Sequence, residues 1–153
     1  LGLDPEFHEK YDFHIHYPGN SLKTDGPSAG IAMATAMVSA LTGHPVRRDI
    51  AMTGEISLRG RVLPIGGLKE KTMAAHRRGI TQVLLPVENA KDIPDIPATV
   101  VEAVEMTTVT HLDEVLSLAL RPRDGQVLFH AVPQDAPGME DAISAELPSA
   151  SRH

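Results

Sequence analysis

No cysteine and no tryptophan occur in the 153 residues. The first absence excludes disulfides and any zinc site that uses thiolate ligands. Aromatic residues make up only 3% of a chain that is 42% hydrophobic, so the core must be aliphatic, built from Ala, Val, Ile, Leu and Met. No run of about 18 apolar residues is present, which excludes a transmembrane helix. Basic charge is also short: the net charge is −6, whereas nucleic-acid binding calls for a basic footprint. The opening "LGLDPEFHEKYDF" is too acidic and polar for a signal peptide. A cytoplasmic location is expected, with neither membrane nor nucleic acid as partner. What is present is enough chain for one domain with a real core.

Periodicity divides that domain. "FHIHY" (13–17) alternates apolar residues with histidine and predicts a strand, and the Gly-, Asn- and Ser-containing stretch after it predicts a loop. A helix is predicted from Pro27, which suits a first helical position, to Gly43, with Asp25 as a candidate cap. Its apolar residues wrap almost fully round, which predicts burial on most sides. "DIAMTGEISLRGRVLPIGG" (49–67) predicts two strands joined by a tight turn at Arg59-Gly60. A second helix is predicted over about 67–78, closed by Gly79 with His76, Arg77 and Arg78 in its last turn. "TQVLLP" predicts a short buried strand, "ATVVEAVEMTTVT" contains another, and "HLDEVLSLAL" predicts a closing amphipathic helix. The alternation implies an α/β domain over residues 1–120, a mixed sheet with flanking helices. Residues 121–153 carry prolines at 122, 133, 137 and 148, with only "QVLFHAV" apolar, and predict a poorly ordered tail.

Two residues stand out chemically. Ser28, in "DGPSAG", lies among small residues where the long apolar segment begins. A serine hydroxyl becomes a nucleophile only when a base takes its proton. His14 and His16 precede it, but no Ser-His-Asp order is legible. The alternative base is a lysine. A lysine's ordinary pKa, about 10.4, must fall by roughly 3 units for that work at neutral pH, and burial among apolar side chains supplies such a fall. Of the two lysines in "GGLKEK", Lys71 shares a helical stripe with Leu68, Ala74 and Ala75, while Lys69 neighbours Glu70, Met73 and His76. Lys71 is therefore the better buried base. Spacing alone leaves two plainer readings open, a lysine that snorkels to solvent and a serine that caps a helix.

"DGPSAG" followed by "MTGEISLRGRVLPIGGLKEK" closely resembles the proteolytic domain of the Lon family of ATP-dependent serine-lysine proteases, with the likeness running from about residue 1 to 120. The resemblance implies the Lon protease-domain fold and an endopeptidase that degrades unfolded or damaged proteins. It implies Ser28 as nucleophile, Lys71 as general base, and Thr53 hydrogen-bonded to that lysine. His14 and His16 are implied to line the neighbourhood of the site; two histidines with no third ligand make a weak metal site, and no metal is expected. Asp25 is implied either to sit in a loop that occludes the site or simply to cap the helix.

With Ser28 in the first helical turn, the amides of Ser28 and Ala29 are expected to form an oxyanion hole, and Ala29 and Gly30 to leave room for a substrate strand. The resemblance further implies unfolded-protein substrates and a homo-oligomer, hexameric in the full-length protein. No GxxxxGK[ST] loop is present, so no cofactor is expected in this chain; ATP and Mg are expected only for an ATPase module. The chain then reads as an N-terminally truncated fragment. A non-catalytic binding or assembly module and a stand-alone, ATP-independent peptidase are the rival readings. Pro18-Gly19-Asn20 and Lys23-Thr24 depart from the family's Pro-Glu-Gly and Pro-Lys, which bears on loop conformation and substrate preference.

Overall fold

A computed structural model of the chain describes residues 6–16 and 27–123. Its centre is a parallel sheet of β1 (Ile50–Met52), β4 (Gln82–Pro86) and β5 (Glu105–Val109), in the order β1-β4-β5. β1 meets β4 as Ile50↔Gln82 to Met52↔Leu84, and β4 meets β5 as Gln82↔Glu105 to Pro86↔Val109. β4 is buried along its whole length, which is why it reads as an apolar run after Gln82. Its side chains alternate between two cores. Leu84 packs with Ile31, Ile50, Val109 and Val115, on the side covered by α2 (Gly30–Thr42) and α5 (Leu112–Ala119). Val83 and Leu85 pack with Leu68, Ala75, Val100 and Val104, on the side of α3 (Leu68–Arg77) and α4 (Ala98–Ala103). A four-residue helix, α1 (Phe7–Lys10), begins the described chain, and a 3-10 helix spans Val87–Asp95.

An antiparallel hairpin, β2 (Glu55–Ile56) with β3 (Val62–Leu63), stands beside the parallel sheet, so both kinds of pairing are present but in separate sheets. Its tip needs Gly60: φ is 78°, and a Cβ there would lie 2.7 Å from Nε2 of His111. The predicted first strand of 49–67 is in fact two, broken at Thr53-Gly54. The break has a cause in hydrogen bonding. Thr53 N still donates to Leu84 O (3.0 Å), but Gly54 N donates to Ser28 O (2.9 Å) and Gly54 O accepts from Ile31 N (3.1 Å). The chain is drawn off the sheet onto the start of α2. A Cβ on Gly54 would stand 2.9 Å from Val62 Cγ1 and 3.1 Å from Ile31 Cδ1, so only glycine fits.

Three further expectations change. Residues 13–16 form no strand, because no neighbouring strand among the described residues supplies a ladder, and Tyr17 lies outside them. α2 begins at Gly30 instead of Pro27, and only Ile31 and Thr35 in it are buried. Ala36 and Ala40 are exposed, so the helix packs against β2 and α5 on one side and, on the other, borders a groove shared with residues 13–16. The segment 98–110 carries α4 before its predicted strand. The other boundaries agree: α2 ends against Gly43 (φ 70°), and α3 is followed by Gly79 (φ 74°). Of the predicted tail, Arg121 and Arg123 are anchored by their amides to Pro45 O (2.9 Å) and His44 Nδ1 (3.2 Å), and residues 124–153 lie outside the described residues.

Candidate active site

Ser28 occupies a turn just ahead of α2, closed by Gly30 N donating to Pro27 O (3.1 Å). The sequence predicts it in the first helical turn; it lies outside because its carbonyl, which would otherwise accept within the helix, accepts from Gly54 N (2.9 Å) and Thr53 Oγ1 (3.3 Å). Ala29 is the N-cap residue and no side chain caps the helix. Asp25, the candidate cap or occluding residue, falls outside the described residues, as do the departures at 18–20 and 23–24. The amides of Ser28 and Ala29 and the Ser28 hydroxyl find no hydrogen-bond partner among the described residues. Two unpaired N–H groups at the head of a 13-residue helix favour negative charge beside them.

Lys71 projects from the first turn of α3. Gly67, with φ 69°, sets the entry angle, and Lys71 N donates back to Gly67 O (3.2 Å). The side chain curls so that Nζ donates to Gly66 O at 2.7 Å. Lys71 is partly buried and Lys69 exposed, as the helical stripe predicts; Leu68 and Ala75 of that stripe are buried, whereas Ala74 faces solvent. Ser28, Thr53 and Lys71 line one cavity of about 240 Å³ whose remaining wall is Ala29, Ala51, Met52, Ala75 and Val83. Among the described residues no carboxylate lines it, and the amine's partner there is the Gly66 carbonyl. Lys69 turns instead to a second hollow, with Glu70, Asp92 and Asp95.

Thr53 is buried in the cavity wall, but its hydroxyl donates to Ser28 O and not to Lys71, as the resemblance had implied. It thus ties the backbone at Ser28 to the end of β1. Gly30 also departs from its expected role. A Cβ there would stand 3.0 Å from both Ile56 N and Ile56 Cγ2, so the small residue makes room for the chain's own β2 and not for a substrate. His14 and His16 line a neighbouring groove with Ala29 as the shared wall. No group of three or more His, Asp or Glu that could hold a metal occurs among the described residues. Sequence reasoning misses Gly66 O and the wall residues Ala51 and Val83. Strand parity puts Ala51 on the side of Thr53, but the pairing Ala51↔Val83 is a register that no local signal carries.

Over residues 1–122 the sequence matches the family described as Lon protease (S16) C-terminal proteolytic domain. The chain belongs to this family. It is 66% identical over 119 residues to the Lon protease of Brevibacillus choshinensis, covering 78% of this chain and 15% of that protein. It is 59% identical over 121 residues to the Lon protease of Escherichia coli K12, covering 79% and 15%. Likeness to Lon protease 1 of Syntrophobacter fumaroxidans, 51%, runs over 146 residues, 95% of this chain and 18% of the relative. The chain thus spans less than a fifth of the length of these relatives. This Lon proteolytic domain is an α/β fold, and no helix among its described residues is long and apolar enough to cross a membrane.

Proposed function

We propose that this Lon proteolytic domain hydrolyses peptide bonds with Ser28 as nucleophile and Lys71 as general base. The observation that carries the reading is the convergence of these two side chains, from separate elements, on one cavity whose other described lining is apolar apart from Thr53. The deprotonated amine keeps two N–H groups and gains one lone pair. One N–H stays on Gly66 O, which fixes the amine, and the lone pair takes the proton of Ser28 Oγ as the oxygen attacks the substrate carbonyl. Negative charge forming on that carbonyl oxygen is met by the amides of Ser28 and Ala29, which have no partner among the described residues. The lysine then gives its proton to the departing amine. Water, activated by the same lysine, releases the acyl group from Ser28. Thr53 acts through the backbone by holding Ser28 O.

The remaining parts of the reading come with the family. Unfolded or damaged proteins are the substrates, and a hexameric ring in the cytoplasm encloses the sites. An ATPase module, with its ATP and Mg, feeds them. The domain itself works without a cofactor. The deciding experiment treats the protein with a peptidyl boronate and maps the adduct by mass spectrometry. We expect a single adduct on Ser28, with peptide hydrolysis lost in Ser28→Ala at unchanged circular dichroism. Turnover retained by pure Ser28→Ala would sink the assignment.

A further inference from the structure

One buried amide close to the cavity takes no part in the chemistry above. Asn89 lies in the 3-10 helix that follows β4 and is only 2% exposed. Its side chain clamps both main-chain groups of a single residue, Ile65. Oδ1 accepts from Ile65 N (3.0 Å) and Nδ2 donates to Ile65 O (2.9 Å), while Nδ2 also donates to Asp92 Oδ2 (2.7 Å). Both hydrogens of the amide are thereby spent, and its orientation is fixed, since the flipped amide would set N–H against N–H at Ile65. Ile65 belongs to the link of residues 64–67 between β3 and α3, which has neither helix nor strand geometry of its own. The next residue is Gly66, whose carbonyl receives the Lys71 amine at 2.7 Å. A Cβ on Gly66 would meet nothing within 4 Å, so no steric wall holds that residue in place.

We propose that Asn89 is a positioning residue for the general base: by gripping Ile65 it fixes the Gly66 carbonyl, and through that carbonyl the place of the Lys71 amine in the cavity it shares with Ser28. The inference rests on the proposed hydrolytic reading. A lysine amine ends a flexible four-carbon stem, so its position is set by what holds the tip. Among the described residues that holder is Gly66 O, and a holder steers only if it is itself rigid. Packing supplies part of the rigidity. Ile65 is pressed against the core of Leu68, Val83 and Val100, which seats its side chain but leaves the neighbouring peptide planes free to turn. The paired bonds from Asn89 stop that rotation. Asn89 in turn stands on firm ground, three residues beyond the fully buried Pro86 at the end of the central strand. β4 thus serves the cavity twice, lending Val83 to its wall and, through Asn89, a fixed point for its lysine. Filling the same space for packing alone would favour an apolar side chain, because a buried amide gives up its hydration.

The test compares two substitutions at Asn89 with one in the core behind it. Asn89→Leu removes all three bonds at similar volume, and Asn89→Asp keeps the shape but sets an oxygen against Ile65 O and Asp92. Val100→Ala, in the same core and outside the cavity lining, controls for lost stability alone. On a fluorogenic peptide both Asn89 variants are expected to lose about tenfold or more in kcat with KM within about twofold of wild type, as a misplaced base requires. Val100→Ala keeps both constants at temperatures where circular dichroism shows it folded. A second readout needs no turnover: trace acetic anhydride is applied, and acetylation of Lys71 is compared with that of Lys69 in the same protein by mass spectrometry. Loosening of the amine from Gly66 O is expected to raise the Lys71-to-Lys69 ratio about threefold or more in the Asn89 variants and not in Val100→Ala. A folded Asn89→Asp protein with kcat within twofold of wild type, or with an unchanged ratio, overturns the proposal. So does a loss that falls on KM, or one that Val100→Ala reproduces, or the failure of both Asn89 variants to fold, since the residue then serves the fold at large. If the wild-type protein cuts no peptide, or Ser28→Ala still cuts, while the labelling ratio follows Asn89, the hydrolytic reading fails and the anchoring of Lys71 stands.

Discussion

The two ends of β1 are built on opposite principles. At its N-terminal end polar groups are saturated. Arg47 pairs with Asp49 (2.6 Å) and donates to Gln82 Oε1 (2.7 Å) and Leu118 O (3.3 Å), while Gln82 donates to Thr107 Oγ1 (2.9 Å) and Glu105 Oε1 (3.3 Å). At the C-terminal end, the Ser28 hydroxyl and the amides of Ser28 and Ala29 have no partner among the described residues, and a lysine lines a mostly apolar cavity. One end spends its polar groups on holding three strands in register. The other leaves them without a partner among the described residues, at positions partly open to solvent. The difference teaches that this domain ties its strands together at one end of β1 and keeps polar groups available at the other, where water can satisfy them at little cost to the fold.

The contrast breaks first at the lysine. Lys71→Arg is expected to lower peptide hydrolysis by about a thousandfold or more, since arginine keeps its proton and its planar fork does not fit the space. A pH–rate profile on a short fluorogenic peptide checks this, and an active Lys71→Arg enzyme means the base lies elsewhere.

Gly30→Ala comes next, because the clash is with backbone at Ile56 N and cannot be relieved by a rotamer change. Alanine normally helps a helix, yet here a net loss of about 1–2 kcal/mol is expected. Thermal unfolding reads it, and a raised Tm would mean that β2 moves easily.

Thr53→Val, which removes the bond to Ser28 O, is expected to cost about tenfold in kcat/KM, or about 1.4 kcal/mol. An unchanged rate would leave Gly54 N alone as sufficient anchor.

At the saturated end, Arg47→Ala is expected to lower stability by about 1 kcal/mol with peptide hydrolysis intact. The Arg47 hydrogen bond holds the Asp49 carboxyl below its ordinary range. Its contribution is therefore present above about pH 3.9 and is lost as pH falls through the lower, folded value. Urea midpoints of wild type and Asp49→Asn should differ at pH 6 and converge toward pH 3. The smallest effect is expected for Lys69→Arg, within about twofold of wild type, because that side chain faces the other hollow.

Legibility followed the range of the interactions. α3, α5 and β4 are plain in the sequence because their signals are local: a stripe at helical spacing, a capping glycine, an apolar run. The choice of Lys71 over Lys69 is equally local, since residues two positions apart on a helix point to different faces. The strand predicted at 13–17 is not formed over 13–16 because alternation shows that a segment could pair, and among the described residues no partner strand stands beside it. The full burial predicted for α2 fails for a related reason. Apolar residues all round permit burial, but what covers each side is decided by other elements.

By itself the sequence determined the chemistry on offer: an aliphatic α/β chain with one serine in "DGPSAG", one inward lysine in "GGLKEK", and the two-block pattern of the Lon proteolytic domain. Only the tertiary structure decided how those blocks meet. Gly54 turns the chain from β1 onto Ser28, Gly30 admits β2 against α2, Thr53 binds the serine's carbonyl, and Gly66 O receives the lysine amine. These are contacts between segments about 5 to 30 positions apart, several of them made by backbone atoms, which every residue carries alike. A sequence distinguishes side chains, and so it names the candidate groups; it does not say which carbonyl each one will face.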